Sequence, residues 1–321
     1  MRYFELGPER LRLSRVVLGG HEYLPDGRSR AFNEDLAAAV TPGVVFPGFG
    51  GPQRKAVLAT AYDLGINLFD VTMDSEKEAL GRNLSETPPP YEVFVQTRPE
   101  GMVYGYDPGN RRLLDFALLK AEVERCLKLL RRERIDILNI GILSDALAKP
   151  GYLSTLADNL DTLRRLGLIR YAAADTFSGE ATYLAMIESG AFASININFN
   201  IADDGAADAV FKAADDAGVA IVTREIFAKG QLFAIARNCN HIDLRDLASA
   251  ATKWASHNSA IDALIVGAAD AAQLRANAAA ISSCGMTEAE TVLLTHIIRS
   301  EEFQALQNKQ RRAFLASGAG F

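Results

Sequence analysis

Apolar residues along this chain recur with two periods, and the two alternate. Eight short, mostly apolar runs, at 16–20, 66–71, 92–97, 135–140, 169–174, 194–199, 219–223 and 262–266, have the length and continuity of buried strands. Between them, apolar residues return at three- and four-residue steps, which predicts helices over 53–64, 77–84, 114–132, 152–166, 206–217, 244–256 and 271–281. Phe177-Ser178-Gly179-Glu180 opens another, with Ser178 as N-cap because a hydroxyl there accepts one of the orphan N–H groups. Two more helices fit within 287–314. Strands that alternate with helices pair in parallel, and eight such units close into a (β/α)8 TIM barrel with its chemistry at the C-terminal ends of the strands. Residues 1–13, two short segments about Gly7-Pro8, read as a hairpin capping the barrel from below. Stretches 21–51 and 98–110 show no period and read as long loops over the active face.

Length and composition narrow the picture. A chain of 321 residues fits a single barrel domain spanning 1–321, with 49% hydrophobic and 23% charged residues supplying an ordinary soluble core. A formal net charge of −6 gives no general attraction to phosphate backbones or anionic membranes, so the expected partner is a small-molecule substrate, with no nucleic acid and no membrane. Cys126, Cys239 and Cys284 lie far apart without a CxxC pair, which argues against a disulfide framework or a zinc site, and no metal is expected. Charges within the first five residues, and the lack of any long apolar run, fit a cytoplasmic protein.

The candidate chemistry lies at strand ends. Asp70 closes the run Ile66-Asn67-Leu68-Phe69-Asp70-Val71 just before a polar turn, so a buried strand delivers its carboxylate to the mouth. His21, Glu22 and Tyr23 directly follow the first strand and are either acid–base groups at the mouth or ordinary loop residues. Arg98 and Glu100 open the loop after 92–97 and either bind a charged substrate group or face solvent. Asp74 and Glu76 sit in the turn after Asp70 and are either groups of the site or, as acids opening a helix commonly are, only helix caps. His241, His257 and His296 fall away from strand ends and receive no role.

Several stretches, in order, resemble the aldo-keto reductases. Gly65 to Asp70 and Glu78 to Gly81 are similar to that family's Gly-Ile-Asn-x-Phe-Asp-Thr-Ala and Glu-x-x-Leu-Gly; Arg134-Ile135-Asp136-Ile137-Leu138 to its Tyr-Ile-Asp-Leu run; and Leu163–Ile169 to its Gly-x-Ile-Arg step. Ile221–Leu232 resembles its phosphate-loop run, and Ile265-Val266-Gly267-Ala268 with Gln273, Leu274 and Asn277 its adenosine-binding segment.

The resemblance implies an oxidoreductase that reduces carbonyls with NAD or NADP through a tetrad of Asp, Tyr, Lys and His. Carried over by position, the aspartate is Asp70 and the lysine's place holds Arg98, which remains able to pair with Asp70. The histidine's place holds Gly141, and the tyrosine's falls among Met73, Asp74 and Ser75. A proton then has to come from elsewhere at the mouth; His21 is the first candidate because its ordinary pKa lies near neutrality, followed by Tyr23 and Glu22. For the cofactor, the implied nicotinamide residues are Asp175, Thr176 and Asn196, with Arg224 packing on the ring face. Ala228, Lys229 and Gly230 stand at the implied pyrophosphate, although Lys229 reads equally as an exposed loop lysine. Gly267, Asp270, Gln273 and Asn277 stand at the adenosine. Ala269-Asp270 supplies no cation for a 2′-phosphate, which favours NAD over NADP. The alternative is a catalytically silent protein of the same fold that binds a ligand or cofactor, or a non-redox enzyme using the same barrel mouth.

Overall fold

In a computed structural model that describes residues 1–24, 27–239 and 242–316, the chain forms a closed parallel barrel. The antiparallel hairpin β1 (Tyr3–Leu6) and β2 (Leu11–Ser14) precedes the barrel strands β3 (Val16–Gly19), β4 (Leu68–Val71), β5 (Phe94–Thr97), β6 (Ile135–Ile142), β7 (Ile169–Thr176), β8 (Ser194–Asn198), β9 (Ala220–Arg224) and β10 (Ala263–Val266). Each barrel strand pairs with the next, and β10 closes on β3 with Ile265 opposite Val17.

Strand periodicity builds the site. The hairpin's Leu6, Leu11 and Leu13 pack with Val17, Leu68, Phe94, Ile137, Tyr171, Val222 and Ala263 to plug the lower end of the barrel. Successive side chains on a strand alternate faces, so positions two or four residues further along share the same inward side. Those positions are Asp70, Gln96, Arg98, Asn139, Gly141, Asp175, Arg224 and Gly267. An apolar floor therefore passes into a polar mouth within one or two residues of each strand. The outward faces bury Leu58, Leu80, Val123, Leu127, Leu156, Leu160 and Leu163 among the helices in the main core, each such side chain contributing about 1.5–3 kcal/mol by leaving water.

Several elements differ from the sequence expectation. The 21–51 stretch includes two helical turns, Arg30–Glu34 and Leu36–Ala39, and 98–110 runs into the 3-10 turns Tyr104–Tyr106 and Pro108–Leu114, with Met102, Val103 and Tyr104 buried. The helix expected at 77–84 spans Asp74–Glu86, because the Glu76 carboxylate accepts from the Thr72 and Met73 N–H groups and starts it early. Ser178 is not an N-cap: the helix begins at Glu180 after Gly179, whose φ of 78° favours glycine, and the Ser178 hydroxyl instead accepts from the Ser144 N–H at 2.9 Å. A further helix, Gln231–Asn238, follows the loop 225–230.

Candidate active site

His21 leaves the end of β3 and meets Glu76 from the turn after β4, with Nδ1 2.6 Å from Glu76 Oε1. The other oxygen, Oε2, accepts from the Thr72 N–H at 2.9 Å, the Thr72 hydroxyl at 3.1 Å and the Met73 N–H at 3.3 Å. Glu76 is thus held on both oxygens, and its side chain is 1% exposed against 33% for His21. Burial works against the ionised carboxylate, but the His21 ring and these N–H donors outweigh it and pull its pKa down to about 2. For His21 burial opposes the cation, yet the Glu76 charge wins and raises the imidazole's pKa. A carboxylate on Nδ1 keeps that proton in place and leaves Nε2 as the nitrogen that exchanges its proton. Phe32 packs edge-on against the ring, with centroids 5.3 Å apart.

Asp70 is the second titrating group near neutrality. Burial pushes its pKa up to about 6, while the Gln96 amide, donating at 2.8 Å, and the nearby charge of His21 act in the opposite direction. Among the described residues it forms no ion pair with Arg98, contrary to the sequence expectation. Arg98 turns to Glu100, Nη2 to Oε1 3.5 Å, and lies 5.6 Å over both the Tyr104 and Tyr106 rings. Glu100 in turn belongs to a buried network behind the mouth. Its Oε2 lies 3.7 Å from the Lys77 ammonium, which also bonds Asp74 at 3.1 Å, and Arg125 bridges Asp74 and Glu122. Glu122 accepts from the Glu100 N–H at 2.9 Å. Three acids and three cations cancel there, so neither Asp74 nor Glu100 faces solvent.

Gly141 has a steric reason to be glycine. A Cβ on it would lie 2.3 Å from Tyr104 Cε1, so the Tyr104 ring occupies the space in which the resemblance implies a histidine. The Tyr104 hydroxyl donates to Asp175, which also accepts from Asn139 at 3.2 Å and pairs with Arg224 at 2.5 Å. Arg224 stacks 4.5 Å over Phe177. Sequence reasoning favoured a capping role for Glu76 over a role at the mouth and missed Tyr104, Gln96 and the Arg224–Asp175 pair. The period-two inward side of β5 was available as a signal for Gln96; the aperiodic loop offered none for Tyr104.

The remaining predicted positions cluster at the same end. A Cβ at Gly267 would fall 1.7 Å from Tyr23 Oη, so Tyr23 lies against the end of β10, and burial raises its phenol pKa. Glu22 accepts from the Gly50 N–H and ties down the 41–51 segment. Asn196 is wholly buried with both amide atoms unpartnered, which fits a carboxamide beside it. The other implied cofactor groups are engaged locally: Thr176 Oγ1 by the Ser178 N–H, Asp270 as N-cap to the Gln273 N–H, Gln273 by the Ala269 N–H and Asn277 by the Gly267 carbonyl. In the implied phosphate loop, Ala228 and Gly230 donate their N–H groups to the Glu225 and Phe227 carbonyls. The adjoining cavity of about 170 Å³ is lined by the carboxylates of Asp203 and Glu225. A pyrophosphate needs free N–H donors and positive charge. These residues do not fit one.

Among the described residues no group of three or more His, Cys, Asp or Glu side chains is placed to hold a metal ion, and no helix is long and apolar enough to cross a membrane. His257 and His296 lie in or next to outer helices, and His241 lies outside the described residues.

The sequence model of the aldo/keto reductase family matches residues 51–298, more than half of the chain. The structure of the glycerol dehydrogenase AKR11B4 from Gluconobacter oxydans superposes with a TM-score of 0.66 at 19% identity, over 92% of this chain and 95% of that one, a likeness of fold. Comparison with curated proteins gave no match.

Proposed function

Because the chain belongs to the aldo/keto reductase family, a family of oxidoreductases, we propose that its barrel mouth moves a proton on a small carbonyl or hydroxyl substrate through the His21–Glu76 pair. This set stands in for the tyrosine, lysine and histidine that the resemblance leads one to expect. The observation that supports it most is the 2.6 Å Nδ1–Oε1 contact, made by a carboxylate whose other oxygen is already saturated.

The protein's own residues divide the work. His21, whose imidazolium the Glu76 carboxylate favours, gives the Nε2 proton to a substrate oxygen as negative charge builds there and takes it back in the reverse direction. Glu76 fixes the tautomer and stabilises the imidazolium. Arg98, 6% exposed and paired with Glu100, keeps its Nε–H unpartnered as a donor at the mouth, and Asp70 with Gln96 forms the facing polar wall. Tyr23 closes the side toward β10. A nicotinamide dinucleotide supplies hydride when bound, and Ala269-Asp270 favours NAD over NADP; Asn196 fits its carboxamide end, but because the phosphate end does not fit, no step here runs through it.

A second reading, a mouth that binds or converts a small molecule without a dinucleotide, is favoured by Asp203 and Glu225 beside the implied phosphate loop. One experiment separates the two. The protein is titrated with NADH and NADPH by fluorescence and then assayed for their consumption with a panel of aldehydes and ketones. Turnover that drops by roughly 10²-fold or more in His21→Phe supports the first reading. Turnover unaffected by His21→Phe removes the proton-transfer role, and absence of both binding and turnover leaves the second reading.

A further inference from the structure

Beside the mouth, between the ends of β7, β8 and β9 and the helix Glu301–Leu315, lies a carboxylate that the proton-transfer set does not use. Asp203 is 9% exposed, lines the cavity of about 170 Å³, and has no hydrogen bond or ion pair to its side chain among the described residues. Asn198 lines the same cavity with its Oδ1 buried and unpartnered. Glu225, the third acceptor, is shared at longer range by Arg224 at 3.3 Å and Lys229 at 3.6 Å. Aromatic walls from Phe177, Tyr183 and Phe314 complete the cavity.

The donor and acceptor inventory identifies the missing partner. A mostly buried carboxylate with no hydrogen bond or ion pair of its own is costly unless a ligand or solvent neutralises it. Burial, reinforced by the charges of Glu225 and Asp204, outweighs the more distant charges of Arg224 and Lys229 and pushes Asp203 up to about 6. An ammonium group brings three donors and no acceptor, matching two carboxylates and an amide oxygen, and aromatic faces favour the same charge. A phosphate brings only acceptors and negative charge, and the one cation among the described lining residues, Lys229, already lies 3.6 Å from Glu225. Lys229 shows the preference within the chain itself: its ammonium lies 5.3 Å over Phe177 and 3.6 Å from Glu225.

We propose that this cavity binds a protonated primary amine, with its ammonium on Asp203, Asn198 and Glu225 and its carbon skeleton against Phe177 and Phe314, at the place where the family resemblance implies cofactor phosphates. The site is independent of the His21–Glu76 pair, and its test reads binding alone. The full-length protein is titrated calorimetrically at pH 7.5 with benzylamine, and with benzyl alcohol and benzoate as neutral and anionic analogues of similar shape. Benzylamine is expected to bind at least about tenfold tighter than either, a margin of about 1.4 kcal/mol. Asp203→Asn should lose at least that factor while keeping its melting temperature, since it removes an unpaired buried charge. The comparison among the three probes on the unmodified protein stands even if that variant misfolds. Equal binding of benzyl alcohol, undiminished benzylamine binding by a folded Asp203→Asn, or displacement of benzylamine by NADH would each overturn the proposal. Undiminished binding in His21→Phe is expected, so failure here leaves the proton-transfer reading to its own assay.

Discussion

Single residues in this barrel do two jobs where the sequence suggests one. Glu76 opens a helix and also orients His21, and the capping interpretation, true in itself, hides the second role. Asp70 was legible because a four-residue, mostly apolar run, Ile66 to Phe69, leads into it; Arg98 was legible as a strand-end cation but not in its choice of Glu100 over Asp70, which depends on a loop brought close only by folding. The raised His21 pKa has a stability consequence with a definite sign. A group whose pKa is raised on folding adds stability that is fully present below its unfolded value of about 6.5 and is lost as pH rises through the folded value. The melting temperature of the unmodified protein should therefore exceed that of His21→Phe by most at mildly acid pH, with the gap shrinking as pH increases. A gap that widens with pH would show that the ring is neutral beside Glu76. Arg98→Met should weaken substrate handling by removing the unpartnered guanidinium donor at the mouth, read as a rise in KM; an unchanged KM would place Arg98 outside the site.

At the scale of elements, strands were read more accurately than loops. Strand assignment rests on short continuous apolar runs, which all eight barrel strands possess, whereas Tyr104 comes from an aperiodic segment whose buried conformation is dictated by what it packs against. The Tyr104–Gly141 contact makes this testable. Gly141→Ala places a methyl 2.3 Å from the ring and should destabilise by about 1–3 kcal/mol, with Tyr104→Ala in the same chain relieving part of that cost. Simple additivity of the two changes in denaturant unfolding would mean that the ring moves aside freely. The helix Asp74–Glu86 depends in the same way on its buried charges. Lys77→Met removes the fully buried cation that Asp74 shares with Arg125 and Glu100 shares with Arg98, and should cost about 3–5 kcal/mol, the range for one-sided removal of a buried ion partner. A loss below about 1 kcal/mol would mean that water reaches the network.

For the molecule as a whole, composition, alternation and ordered motifs led to the right barrel and family because these properties are spread along the chain and tolerate local change. The cofactor interpretation was less secure for a physical reason. A resemblance transfers positions, whereas a phosphate cradle needs N–H groups left free, and those of Ala228 and Gly230 are spent within their own turn. The acid of Asp203 became significant only once the fold showed it mostly buried with no hydrogen bond or ion pair to its side chain among the described residues. At the adenosine end, Asp270→Arg should raise affinity for NADPH relative to NADH if that segment meets a ribose. An unchanged ratio would remove it from the nucleotide reading.

The central claim is that Glu76 holds His21 as the proton-carrying group of the mouth. It is tested most directly by titrating the histidine resonances by NMR in the unmodified protein and in Glu76→Gln, with His21 assigned through His21→Phe. The account predicts a His21 pKa above about 6.5 that falls when the carboxylate is neutralised. A value at or below that figure, or one unmoved by Glu76→Gln, would contradict it.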